Sequence, residues 1–270
     1  MNGLASALIA TLAFSINAPL VHAASKKGAN SFALVAIRNI TALLLLLPFA
    51  DFRVALSTLL VVLSSAISGP GLGDYFYFKA ISHSGVAVAV TIGYTYIFTT
   101  QFFSALMGVE PVRSGALLGA LLAFLGVVIT LGGRPRGPGV LYGFITSLLW
   151  GFASALLGMA AKETSPYTIA VVRSAVLSLI FIPFSKIRTI STSGLIYAVL
   201  SGAIGLALGS LAFIYAMAYV GVATTVITTS LTPILSQIFD RAINKTSISP
   251  KYILGALLVG LGIATTVMIN

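Results

Sequence analysis

The sequence predicts an all-α integral membrane protein whose ten transmembrane helices form two inverted five-helix repeats. Three observations carry that expectation. The 270 residues are 58% hydrophobic and only 7% charged, with a mean hydropathy of +1.08. A soluble domain carries charge on about a quarter of its residues, and this chain has far too little. Its apolar runs are ~18–25 residues long, the length of a helix crossing a ~30 Å hydrocarbon core and about twice that of a barrel strand. Finally, the chain resembles itself at a spacing close to half its length.

The predicted spans, in order, are Gly3–Val21, Ser31–Phe49, Leu56–Ser82, Gly85–Met107 and Ser114–Leu131, then Val140–Ala161, Tyr167–Phe184, Gly194–Tyr219, Val222–Ile243 and Tyr252–Ile269. The connections are short, and no soluble domain is left over. The first apolar run lacks a basic leader and is long enough to span, so no cleavable signal peptide is expected. GGRPRGPG (132–139) is the stretch richest in Gly, Pro and Arg and reads as a linker.

The halves on either side of it match. LLGALLAFLGVVIT (117–130) resembles ILGALLVGLGIATT (253–266), and GVAVAV (85–90) resembles GVATTV (221–226), both at an offset of 136. Gln101 falls on Gln237, and Gly69 and Gly73 fall on Gly205 and Gly209, at the same offset. AIRNITALLLLLPF (36–49) matches VVRSAVLSLIFIPF (171–184) at 135, so Arg38 falls on Arg173 and Pro48 on Pro183. Five spans per copy is an odd number, so the second copy inserts upside down. Inverted repeats of this kind are the architecture of many secondary transporters, whose site lies near the midplane between the repeats.

Charges inside spans are costly and mark candidate functional residues. Asp74 lies ~12 Å of helix from the end of the third span and Arg38 ~10 Å into the second. Those spans are antiparallel, which brings the two residues near one membrane face. Two readings stand: a structural Asp74–Arg38 ion pair, or an Asp74 that binds a coupling proton or a cationic group. Lys79 is closer to the face and snorkels. Asp74 falls on Ser210 in the second copy, so Arg173 has no matching acid. A guanidinium without a carboxylate suits an anionic substrate group; carbonyls, water or Glu163 are the alternative partners. TIGYTYIFTTQ (91–101) and TTSLTPILSQ (228–237) place polar residues in the middle of the fourth and ninth spans. Tyr94, Tyr96, Gln101, Thr229, Thr232 and Gln237 are therefore expected to line a cavity, although lone hydroxyls in helices usually bond their own backbone. Trp150 and the tyrosines fit either a cavity wall or packing and interface belts.

The sequence around GPGLGDYFYFKA (69–80) is expected to be the flexible, cavity-facing part of the first repeat. Gly69/Gly73 and Gly205/Gly209 form small-residue faces that let helices approach closely, and Pro70 permits a kink where protein or water satisfies the freed carbonyl. The fifth and tenth spans, nearly all apolar with Gly119/Gly126 and Gly255/Gly262, are expected to face lipid or a dimer partner.

These features together resemble the drug/metabolite transporter superfamily in its ten-helix form with two EamA-like repeats. The likeness rests on Trp150-Gly151, on Arg38 and Arg173 in the second helix of each repeat, and on GLGDYFYFKAISHSGVAVAV with ALGSLAFIYAMAYVGVATTV. It rests further on Thr232-Pro233 and on Gly108-Val109-Glu110-Pro111. It spans nearly the whole chain, with 1–132 as the first EamA-like repeat, 133–139 as linker and 140–270 as the second. There are departures: Phe14-Ser15 stands where Trp-Gly would fall, Ile97 where the proline would, and Thr246 where the second glutamate would. The resemblance implies transport, often export, of a small organic metabolite such as an amino acid, by alternating access through a cavity lined by helices 3, 4, 8 and 9. The implied place is the plasma membrane, and no prosthetic group or metal is implied. The expected partners are the lipid bilayer, a small-molecule solute and a proton or another coupling ion, in a monomer or homodimer.

An enzyme is disfavoured. His22 and His83 lie near loop ends, only Asp74 of the five acids lies deep, and neither H-E-x-x-H nor G-x-S-x-G is present. An integral membrane enzyme and a passive channel or structural membrane subunit are the alternatives. The absence of cysteine excludes disulfides and thiolate chemistry. The net charge of +10 does not point to nucleic acid, because the bases sit in short loops. Ten of them (Lys26, Lys27, Lys79, Arg134, Arg136, Lys186, Arg188, Arg241, Lys245, Lys251) lie opposite the termini, and three (Arg53, Arg113, Lys162) lie on the terminal side. That count places the termini outside, whereas the family resemblance implies termini inside.

Overall fold

A computed structural model describes residues 2–111, 114–131 and 137–269. Arg113, Arg134, Arg136 and the interior of the expected linker, 133–136, lie outside the described residues. The described residues are helical and turn structure with no strand among them, and seven helices are long and apolar enough to cross a membrane, with shorter apolar helices beside them.

The first repeat begins with α1 (Gly3–Lys26), capped by the Asn2 side chain on the N–H of Leu4, and α2 (Ser31–Leu46), capped by Asn30 on the N–H of Ala33. Such caps satisfy N–H groups that the helix itself leaves open. A 3₁₀ turn at Leu47–Phe49 then carries Pro48, and its copy at Ile182–Phe184 carries Pro183. The third span is α3 (Leu56–Ala66), a π-helical stretch (Ile67–Gly73) and the start of α4 (Asp74–Gly93). Gly85, with φ +77°, breaks α4 in two and marks the turn into the fourth span, which continues as α5 (Tyr96–Leu106); α6 (Ala116–Leu131) follows.

The second repeat runs through α7 (Pro138–Ala160), α8 (Pro166–Phe181), α9 (Thr192–Ser201), a second π-helical stretch (Gly202–Ser210), α10 (Leu211–Val220), α11 (Val222–Thr228), α12 (Thr232–Asn244) and α13 (Pro250–Met268). Gly221, with φ +81°, repeats the turn at Gly85; the left-handed region is open to glycine without the clash a Cβ would bring. The expected proline kink takes another form. Both repeats widen into π turns at equivalent places, and the second does so without a proline. Glycine richness, shared by both copies, is the common cause, and π turns of this kind cluster at functional sites.

The inversion is visible where α6 meets α13. Gly115 N–H donates to the Ile269 carbonyl at 2.8 Å, a Cβ on Gly262 would collide with the Gly119 carbonyl, and a Cβ on Gly126 would collide with the Gly255 carbonyl. Low numbers meet high ones, so the helices are antiparallel. These glycines thus join the fifth and tenth spans of one chain, while Leu121, Phe124, Leu257 and Leu261 of the same two helices point outward, as expected of helices that face lipid.

Elsewhere the core is built from small side chains. Ala7, Ala10 and Ala13 of α1 are buried, as are Ala33 and Ala36 of α2. In lipid, helices gain nothing from hiding leucine and associate instead through close packing of small residues. The large apolar residues point outward, among them Leu44, Phe49, Leu60, Phe124 and Leu179.

Candidate functional site

A cavity of about 100 Å³ opens between the two repeats, bounded by α1, α2, both π turns, α4, α7, α8 and α10. It has three buried charges, each placed by a different element.

Arg38, on α2 and 2% exposed, donates from Nη1 to Asp74 Oδ2 at 2.5 Å. Its guanidinium carbon also stands 4.7 Å above the centre of the Phe78 ring, a cation–π contact. Asp74 is the first residue after the first π turn, and its other oxygen accepts the Trp150 Nε1–H at 3.0 Å. The ion pair expected from depth alone is therefore present, and Trp150 from the opposite repeat completes it.

Arg173, on α8 and 7% exposed, is different. Among the described residues it makes no hydrogen bond or ion pair; its buried Nε has no partner, and neither does that of Arg38, so the difference lies in the ion pair alone. Glu163 does not reach it. Asp74 is within electrostatic reach, across the cavity they share. A Cβ on Gly69 would lie 2.8 Å from Arg173 Nη2, so the guanidinium is laid against bare backbone of the first π turn.

The walls are aromatic. Trp150 packs against Tyr77, Tyr94 and Tyr96 with ring centres 4.7, 6.0 and 5.7 Å away. The repeat counterpart of Trp150 and Tyr77 is Phe14 and Phe213, in an edge contact at 5.7 Å. Close approach depends on glycine in both copies: a Cβ on Gly73 would lie 2.5 Å from the Trp150 ring, and one on Gly209 would lie 3.1 Å from Phe14. Ser210, the counterpart of Asp74, also borders the cavity.

Seven expected residues thus converge: Arg38, Asp74, Tyr94, Tyr96, Trp150, Arg173 and Ser210. Four do not. Thr229 and Thr232 are fully buried beside the cavity, Thr229 bonded to its own helix at Val226 and in contact with the Tyr96 hydroxyl at 3.1 Å, and Thr232 pointing to the Thr11 carbonyl at 3.4 Å. The local backbone bond of Thr229 is the habit of helical threonine, whereas Thr232 reaches across to α1. Gln101 borders a separate small cleft with Glu110. Gln237 ties α12 to α13 by donating to the Tyr252 carbonyl at 3.2 Å, beside a recess of about 170 Å³ near the loops. That recess is larger, but the three buried charges lie in the central cavity.

The sequence reading missed Phe14, Asn17, Tyr77 and Phe213. Tyr77 and Phe213 are repeat equivalents, a signal the duplication offered; Asn17, bonded by the Ser201 hydroxyl at 2.7 Å, was the amide side chain of the first span. Asp240 was also passed over. It is 5% exposed and accepts from Asn244 and Thr246 and pairs with His22 at 3.0 Å, so Asp74 is not the only buried acid, although Asp240 lies near the end of its helix. Its closeness to the end of its span hid this, because α1 covers it. Lys79 stands 5.1 Å from the Tyr75 ring centre and 5.3 Å from that of Tyr142, half-buried as a snorkelling lysine is.

The model of the EamA-like transporter family matches twice, over residues 1–132 and 137–268. A protein of Archaeoglobus fulgidus named as an uncharacterized transporter is 28% identical over 235 residues, covering 84% of each chain. A solved crystal structure of a protein superposes with a TM-score of 0.70 at 21% identity, covering 98% of this chain and 96% of the other. That likeness shows the shared fold.

Proposed function

Because the chain belongs to the EamA-like transporter family, we propose that it is a secondary active carrier that exports a small organic metabolite across the plasma membrane by alternating access. In this reading 1–132 and 140–270 are the two repeats, 133–139 links them, and the solute is held in the cavity between them. The observation that carries it is the convergence of three buried charges from both repeats on one small cavity near the repeat interface. Buried ionisable groups inside a bundle mark solute and ion pathways, and sites between inverted repeats suit rocking of one repeat against the other. The π turns beside Asp74 and Ser210 supply backbone that can re-register without breaking a helix.

The test is solute exchange in proteoliposomes. A carrier gives saturable counterflow that accumulates labelled solute against its gradient. Linear, non-saturating flux would make the protein a channel, and chemical change of the solute would make it an enzyme. No flux of any kind across a broad metabolite panel would sink the transport reading.

A further inference from the structure

We propose that the solute of the central cavity is an organic monoanion with an uncharged, apolar or aromatic body, and not a zwitterionic amino acid or a cation. The proposal rests on the reading of this cavity as the transport site.

The cavity has two guanidinium groups and one carboxylate. Arginine stays charged in any protein environment, so the site is one positive charge in excess. The two arginines are repeat equivalents, yet only one is neutralised. Arg38 has Asp74 at 2.5 Å, whereas the matching position opposite Arg173 is Ser210. Arg173 is nine-tenths buried, makes no hydrogen bond or ion pair among the described residues, and has its Nη2 close against Gly69. An unpaired buried cation is strongly disfavoured. A carboxylate or similar oxyanion on its free edge removes that penalty, and the planar fork suits two-oxygen recognition.

A zwitterion needs a second, acidic subsite for its ammonium group. Asp74 is the acid of this cavity, and both its oxygens are engaged, one by Arg38 and one by Trp150. An ammonium group would meet a carboxylate whose charge Arg38 already balances and whose two oxygens each already accept one hydrogen bond. The remaining walls are neutral. Asn17 and Ser210 offer only neutral hydrogen bonds, and Trp150, its tyrosines and the Phe14–Phe213 pair offer ring faces and edges. They fit an uncharged body attached to the anionic head.

Trp150 is the single tryptophan of the chain and borders the cavity, so its emission reports binding directly. The probes are four molecules sharing one ring: phenylacetate, phenylacetamide, phenylalanine and phenethylamine, titrated against the full-length protein in nanodiscs. The expected result is a saturable change with phenylacetate, about tenfold or more tighter than with the other three. Arg173→Gln is expected to weaken phenylacetate by about tenfold and Arg173→Lys by less, because lysine keeps the charge but loses the fork. Tighter binding of phenylalanine or phenethylamine, silence with all four probes, or phenylacetate binding untouched in Arg173→Gln each overturns the proposal. The wild-type comparison needs no variant to fold. Each binder is then tried in counterflow. A zwitterion or cation that binds and exchanges ends the anion assignment but keeps the carrier, whereas phenylacetate that binds in a protein that exchanges nothing across the broad panel keeps the anion site but ends the transport reading.

Discussion

Glu110, at the end of the first repeat's fourth span, caps Val222, the first residue of the helix that opens the second repeat's fourth span. Its carboxylate accepts the Val222 N–H at 2.8 Å and the Ala223 N–H at 3.0 Å, just beyond the positive-φ Gly221. The same turn on the opposite face, at Gly85–Val86, has Thr246 in the place of Glu110, and Thr246 bonds to Asp240 instead. One face of the bundle is therefore fastened by a carboxylate on two backbone donors, and the other is not. Replacing Glu110 with Ala leaves those donors open and is expected to cost about 1–2 kcal/mol of stability. Glu110→Gln is expected to cost less, since its one oxygen still accepts. Thermal unfolding in detergent checks both, and an unchanged midpoint in Glu110→Ala would remove the fastening role.

The Arg38–Asp74 pair yields a sharper comparison. Removing one partner leaves an uncompensated buried charge, so Asp74→Leu alone or Arg38→Leu alone is expected to cost about 3–5 kcal/mol. The double replacement Arg38→Leu with Asp74→Leu leaves neither member of the pair as an orphan charge and is expected to recover a good part of that loss. A double-mutant cycle on unfolding reads the coupling; additive losses would show that the two residues act independently.

Pro70 is expected to be dispensable for the π turn. The second repeat forms the same turn at Gly202–Ser210 with no proline. Pro70→Ala should therefore retain ligand binding and shift stability by no more than about 1 kcal/mol. Loss of binding in that variant would show that the proline sets the cavity wall after all.

Gly126 and Gly255 approach so closely that any side chain at either must push α6 and α13 apart. Gly126→Val is expected to destabilise by about 1–3 kcal/mol through overpacking, while leaving Trp150 emission unchanged, because neither glycine borders the central cavity. A shifted emission spectrum would mean that this pair transmits strain to the site.

The charge count assigns a sidedness. Single cysteines are clean reporters because the chain has none of its own. With the termini outside, Lys162→Cys is labelled by an impermeant maleimide on intact cells and Lys26→Cys is not. The reverse pattern would show that the loop charges do not govern insertion here.

Hydropathy, the short connections and the repeat offset were enough to read ten spans, their duplication and, from the odd number per copy, their inversion. Those properties are legible because the bilayer imposes them locally: span length follows from membrane thickness, and orientation follows from counting crossings. Depth was legible too, which is why Arg38 and Asp74 could be placed near one membrane face, with an ion pair as one of two readings. What the sequence could not determine was which way each residue points around its helix and which distant helix it meets. Thr229, Thr232, Gln101 and Gln237 have suitable depth and chemistry, yet packing turns them to backbone or to other clefts. Only the tertiary structure brought Trp150 onto Asp74 across 76 residues, covered Asp240 with α1, and left Arg173 with no hydrogen-bond or ion-pair partner among the described residues. Each of these depends on helices far apart in sequence, whose contacts are set by small residues and shape rather than by any local pattern.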